Sequence, residues 1–231
     1  MKIPVRINPQ LMMKRPLKFP LDPSCVLYLP FREGNGNIVN DQSIFQNNGT
    51  IHGASWVSNG IRGSALKFDG VDDYVDCGND SSLDITDVIT VEAWMKISSI
   101  KGSSHDNNFL VKYLQWGFGI DSGLDFTLFT WGANLDTQLN NKPITLNTWF
   151  HCAMIYDQIN EYAAVYKNGE LVAEDTSYTD KSVSTNNNVL INGNDANEVG
   201  GINGIIDEIR VYNRALSVEE IKKHYLLTKR N

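Results

Sequence analysis

The chain has 231 residues, 42% apolar and 20% charged, which suits one large domain or two small ones and is long enough to bury a core without disulfide or metal staples. Its net charge is −7, with acids and bases scattered, so it lacks the basic footprint that nucleic-acid backbone binding needs. No segment is long and apolar enough for a membrane span, and the basic start, Met1–Pro20, lacks the continuous apolar core and small-residue cleavage site of a signal peptide.

Residues 1–22 contain Pro4, Pro9, Pro16 and Pro20, a density that opposes both helix and central strand. They are expected to form an extended arm, either clamping a partner or simply a loosely ordered terminus, with the folded domain over residues 23–231. Cys25–Phe31 is apolar and β-rich, whereas residues 34–53 are rich in Gly and Asn and read as a long loop. Ala65–Phe68 and Tyr74–Cys77 read as short strands around a turn at Asp69–Asp73. Over Val88–Ile97 the alternation places Val91, Ala93, Met95 and Ile97 on one face and Thr90, Glu92, Trp94 and Lys96 on the other, the period of a half-buried strand.

Phe109–Tyr113, Trp116–Ile120, Leu124–Trp131 and Thr148–Tyr156 continue the series, the last nearly all apolar and therefore central. Tyr162–Tyr166 and Glu170–Ala173 flank Asn168-Gly169, a hairpin signal because both residues tolerate positive φ. Val189–Asn192 and Gly204–Tyr212 complete the strands. One helix is expected, over about residues 217–225: Ser217 and Glu220 make a capping box, and Leu216 and Ile221 occupy the hydrophobic-staple positions. The three cysteines, Cys25, Cys77 and Cys152, form no C-x-x-C pair and read as buried thiols. Many short strands separated by turn signals make a sandwich or jelly roll.

Several phrases, in order, resemble the laminin G-like, concanavalin A-like jelly-roll (lectin/glucanase) superfamily. They are Tyr28-Leu-Pro-Phe31 with Gly34, Gly36, Asp41 and Asn48-Gly49; Ala65–Val75; Val91-Glu-Ala-Trp94; Thr148–His151 through Tyr166–Leu171; and Gly204–Ser217. The resemblance spans roughly residues 24–226. It implies an all-β sandwich of two antiparallel sheets with one short C-terminal helix, binding to carbohydrate or protein, and in many members a structural calcium ion. It is far more specific for the fold than for a ligand.

By period two, Asp207 shares a face with Ile205, Ile209 and Val211, and a buried carboxylate needs an ion, a cation or several donors. Asp69 and Asp207 are the candidate calcium pair, with Asp72 and Asp73 adding oxygens nearby. The alternatives are backbone N–H donors or a pairing with Arg210 or Arg214, and turn chemistry alone accounts equally for Asp69, Asp72 and Asp73. Tyr113, Trp116, Asp121 and Trp131 form a candidate sugar-binding patch, aromatic rings beside a carboxylate near Gly-rich turns; further core packing is the competing reading for each ring. Trp94 and Trp149 read as packing.

No catalytic constellation emerges. The Glu-x-Asp-x-x-Glu strand of the glucanase relatives is missing, since Glu92-Ala-Trp94 and Glu208-Ile-Arg210 both lack the Asp two residues on. No Gly-x-Ser-x-Gly elbow or phosphate loop occurs, and His151 reads as a strand residue with a satisfied ring. The expectation is a non-catalytic recognition module for a glycan or protein surface, placed outside the cell or on a virion. The alternative is a structural subunit, such as a capsid decoration protein, that forms a homo-oligomer or attaches to a larger assembly.

Overall fold

The computed structural model describes residues 22–101, 107–130, 137–139, 143–179, 181–193 and 201–229. The arm lies outside these residues, apart from Asp22. The described strands are β1 (Cys25–Leu29), β2 (Ile38–Val39), β3 (Gly49–His52), β4 (Ser55–Gly60), β5 (Gly63–Asp69), β6 (Tyr74–Asp76), β7 (Val88–Ser99) and β8 (Asn108–Lys112). They continue with β9 (Trp116–Ile120), β10 (Phe126–Thr130), β11 (Thr137–Leu139), β12 (Phe150–Asp157), β13 (Tyr162–Lys167), β14 (Glu170–Asp175), β15 (Val189–Ile191) and β16 (Asn203–Tyr212). One α-helix, α1 (Val218–Thr228), follows.

The strands form two antiparallel sheets, a jelly-roll sandwich. Sheet I runs β14-β13-β12-β7-β16-β5-β4, with β1 also paired to β16; sheet II runs β11-β10-β9-β8-β15-β6-β3-β2. The alternation in β7 is obeyed: Val91, Ala93, Met95 and Ile97 enter the inter-sheet core, where they join Leu110, Phe118, Ile120 and Phe126 of sheet II. Every residue of β12 is buried, because one face fills the core and the other lies under α1.

The stretch expected to be one long loop contains β2 and β3, and β4 follows closely. Their glycines and asparagines hide the period-two signal; β2 is held by pairing with β3, β3 by pairing with β6, and β4 by pairing with β5. The Asn168-Gly169 turn joins β13 to β14 with φ of 55° and 77°, as that dipeptide requires. Ser217 and Glu220 form both halves of the capping box, and Leu216 packs with Ile221 beneath the helix. α1 runs about one turn beyond the expected end near Tyr225, where the Thr228 hydroxyl donates to the His224 carbonyl at 2.6 Å. All three cysteines are free thiols, Cys77 and Cys152 buried and Cys25 half-buried. No helix among the described residues is long and apolar enough to cross a membrane.

Candidate functional site

The two sheets differ in what covers their outer faces. On sheet I, α1 seals a polar layer. Outward-facing Thr90 accepts from the Leu216 N–H at 3.1 Å, and the Trp94 indole N–H donates to Thr228 at 2.8 Å while its ring packs on Tyr225. Between them Glu92, fully buried, meets His224 Nδ1 at 2.8 Å. Burial alone would raise the Glu92 carboxyl, yet the His224 hydrogen bond and the nearby charges hold it below its ordinary range. His151 was expected to be satisfied. Its ring is buried with neither nitrogen hydrogen-bonded, Nε2 standing 3.8 Å from Glu92 Oε1, and burial pushes its pKa down to about 4.

Beside this layer, Glu208 accepts from Arg210 at 2.6 Å and from the Tyr28 hydroxyl at 3.0 Å, and it also pairs with Arg32. The Arg210 guanidinium lies 4.3 Å over the Tyr28 ring. Glu92 and Glu208 are thus each matched by a base, an arrangement that holds a fold together.

Asp207 does not share the core face with Ile209 and Val211. β16 carries a bulge: Asp207 is opposite Trp94 but Arg210 is opposite Glu92, and Glu208 takes φ of 56°. The extra residue reverses the parity, so Ile206, Ile209 and Val211 enter the core while Asp207 turns outward with Ile205. There its Oδ2 accepts the Ile61 N–H at 2.8 Å, holding the β4–β5 turn. Burial and the neighbouring Glu208 push its pKa up to about 8. The backbone-donor alternative therefore describes Asp207. N–H donors around the carboxylate do not suit a cation that needs an oxygen shell.

Asp69 is paired with Asn203, four residues from Asp207 along β16, so the two carboxylates do not meet. Asp69 instead clusters with Asp72 and Asp73, their oxygens within 4.8 Å of one another. Asp69 Oδ1 accepts the Val71 N–H at 2.7 Å, and Asp73 Oδ2 accepts the Asp69 N–H at 2.8 Å. Burial, then the charges of Asp69 and Asp72, raise the Asp73 pKa.

Among the described residues the candidate aromatic patch is not assembled either. Trp116 is 1% exposed in the core, and Trp116, Phe118 and Ile120 point inward while Gly117 and Gly119 alternate outward, a pattern visible in the sequence. Asp121 follows the far end of β9, roughly 16 Å away at about 3.3 Å per residue. Its Oδ1 caps a turn, accepting the Gly123 and Asp125 N–H groups. Tyr113 is half-buried, with its carbonyl accepting from Asn187 at 2.8 Å, and Trp131 lies outside the described residues. Trp94 packs as expected, although under α1 rather than between the sheets, and Trp149 is half-buried. Trp116→Phe is expected to cost about 1–2 kcal/mol by trimming a filled core site. Chemical unfolding would measure this, and unchanged stability would show that removing the buried, unbonded indole N–H offsets the lost volume.

Sheet II presents a different outer face. Val39, Ile51 and Val75 point inward, so Ile38, Thr50, His52, Tyr74 and Asp76 of β2, β3 and β6 point away from the core. His52 is exposed, Tyr74 half-buried, and their rings stack at 4.4 Å and 6°. Asp76 is fixed by Gly78 N–H at 2.8 Å and by both its oxygens to Asn188 Nδ2. Gly53 follows His52 with φ of 77°, and a Cβ there would fall 2.0 Å from Asp73 Oδ1. The stacked rings thus adjoin the acidic turn. Sequence reasoning missed them because His52 falls in the segment read as loop.

A two-sheet antiparallel sandwich whose C-terminal helix covers one sheet defines a jelly-roll domain of the lectin and glucanase class. The chain belongs to the concanavalin A-like lectin/glucanases superfamily, whose family model matches residues 69–222, more than half of its length. No curated protein matches it in sequence. Among solved structures it is similar to domain 4 of AbnA, a GH43 extracellular arabinanase from Geobacillus stearothermophilus, in complex with arabinotriose. That match has a TM-score of 0.70 at 19% identity and covers 89% of this chain and 98% of that one. The binding domain of Paraclostridial Mosquitocidal Protein 1 gives 0.69 at 15% identity, over 87% of this chain and 52% of that one. Trypanosoma rangeli sialidase gives 0.65 at 17% identity, over 88% of this chain and 32% of that one. The chain therefore spans about half of the former and a third of the sialidase; at these identities the likeness is one of fold.

Proposed function

We propose that the domain is a non-catalytic carbohydrate-binding module. The observation that carries the reading is the asymmetry of the two outer faces: α1 closes sheet I over charge-matched side chains, while the β2-β3-β6 end of sheet II presents rings and carboxyl groups outward. Membership of a lectin/glucanase superfamily supports it, as does similarity to an arabinanase domain solved with arabinotriose. Glu92 and Glu208 are buried and engaged by His224, Arg210 and Arg32, which supports binding rather than hydrolysis.

The reading extends to calcium at Asp69, Asp72 and Asp73, in place of the Asp69–Asp207 pair. Three carboxylates around one turn are the hard oxygen donors that calcium prefers, and the ion would relieve their mutual repulsion. Its role would be to brace the turn that leads into β6.

The test is a glycan array of the folded protein with and without calcium, paired with melting curves after chelation and calcium return. Selective retention on glycans is expected, together with a calcium-dependent rise in melting temperature that Asp73→Asn abolishes. An array blank in both conditions overturns the carbohydrate reading and turns attention to an assembly subunit, which light scattering after size exclusion would detect. A melting temperature indifferent to calcium overturns the ion site.

A further inference from the structure

The outer face of sheet II localises the binding more narrowly. Cross-strand ring pairs commonly stabilise sheets from within, each worth roughly 0.2–1 kcal/mol. The His52–Tyr74 pair instead lies on the outward face, with His52 exposed at the edge where β2 ends. Continuing the Ile38–Thr50 register places Gly36 opposite His52, an alignment supported by the Ile51 N–H donating to the Asn37 carbonyl at 2.8 Å. A Cβ at Gly36 would meet nothing within 4 Å, and the Gly36 carbonyl accepts the Trp56 indole N–H at 2.7 Å, so the residue beside His52 on the flank away from Tyr74 brings no side chain of its own. Two parallel rings, one exposed and bordered by a residue without a side chain, offer a flat apolar surface of the kind on which the C–H face of a sugar ring packs.

The polar groups around the rings define the ligand class. Thr50 and Asp76 point outward one alternation along the same strands. A carboxylate accepts hydroxyl hydrogens and repels another carboxylate. The sequences of β2, β3 and β6 contain no lysine or arginine, the residues that would pair with a sialate or uronate.

We propose that His52 and Tyr74 form a stacking subsite for a neutral pentose or hexose ring, with Thr50 and Asp76 placed to receive its hydroxyls. This subsite rests on the reading of the domain as a carbohydrate-binding module. Neutral oligosaccharides are admitted, and sialylated and uronate-containing ones are excluded by the Asp76 carboxylate at its border.

The experiment compares wild type, His52→Thr and Tyr74→Thr on a panel of neutral pentose and hexose oligosaccharides beside sialylated and uronate-containing ones. Melting curves are taken for each protein. Threonine suits an outward strand position, and two variants guard against one failing to fold. The expected result is wild-type binding confined to neutral glycans and at least a tenfold weaker association in the folded variants. Wild-type affinity in both folded variants, or preference for acidic glycans, overturns the subsite while leaving the carbohydrate module intact. Wild type that binds no glycan in the panel overturns the module itself, and the subsite with it.

Discussion

Arg210→Met is expected to lower the melting temperature by roughly 6–20 °C, the counterpart of about 3–5 kcal/mol for removing one partner of a buried ion pair. Arg210 is 2% exposed and sits on sheet I's outer face between Glu208 at 2.6 Å and the Tyr28 ring. Glu208 is fully buried, and its other cation, Arg32, is itself partly exposed. Methionine fills the space but strands a carboxylate in a region where water cannot solvate it, and the loss of the stacked guanidinium also leaves Tyr28 without its cover. Adding Glu208→Gln to Arg210→Met should recover part of the loss, since the stranded charge is then removed. Urea unfolding of the two single variants and the double variant gives the coupling directly. A cost below about 1 kcal/mol for Arg210→Met would mean that the layer under α1 is not held by matched charge.

That layer illustrates what the sequence states and what it withholds. The alternation of β7 is local, so Glu92 and Trp94 could be placed opposite Val91 and Ala93 without knowing the fold. What covers Glu92 is not local: His224 comes from a helix 132 residues away and His151 from a neighbouring strand. The capping box at Ser217 and the Asn168-Gly169 turn were equally readable, because each depends on residues within four positions.

Asp207 shows the opposite case. Its parity is set by a bulge in β16 between Asp207 and Arg210, a strand that pairs with β7 on one side and with β1 and β5 on the other. One inserted residue moved it from the core row to the outer face, and with that the candidate calcium pair came apart. The His52–Tyr74 pair was hidden for a related reason. Gly49-Thr50-Ile51-His52 is too short and too polar-flanked to declare itself, and its strand character comes from β6 beside it. Trp116 was legible after all: its spacing with Phe118 and Ile120, glycine between, describes one apolar face of a strand.

Two buried groups on that outer face, shifted in opposite directions, should both appear in the pH dependence of stability. The folded pKa of His151 is depressed to about 4 from an ordinary value of 6.5, so its contribution is complete above pH 6.5 and is lost as pH falls toward 4. The folded pKa of Asp207 is raised to about 8 from 3.8, so its contribution is complete below pH 3.8 and is lost as pH rises toward 8. At about 1.4 kcal/mol per unit, the full effects are on the order of 3 and 6 kcal/mol respectively. Between pH 4 and 6.5 the unfolded chain binds a proton that native His151 refuses, while native Asp207 keeps one that the unfolded chain releases. The two slopes cancel, so wild type should be nearly flat there and lose stability from pH 6.5 to 8. Below about pH 4.5 it should lose stability again as Glu92 and Glu220, both held low in the fold, take up protons. His151→Phe, which keeps an aromatic ring where neither imidazole nitrogen is bonded, should expose the Asp207 slope: stability falling with rising pH across 4 to 8. Asp207→Asn, which retains the acceptor for the Ile61 N–H, should expose the His151 slope: stability falling with acid from 6.5 to 4. Urea midpoints measured at half-unit intervals would resolve the three profiles. Parallel curves for all three proteins would show that neither group carries the linkage.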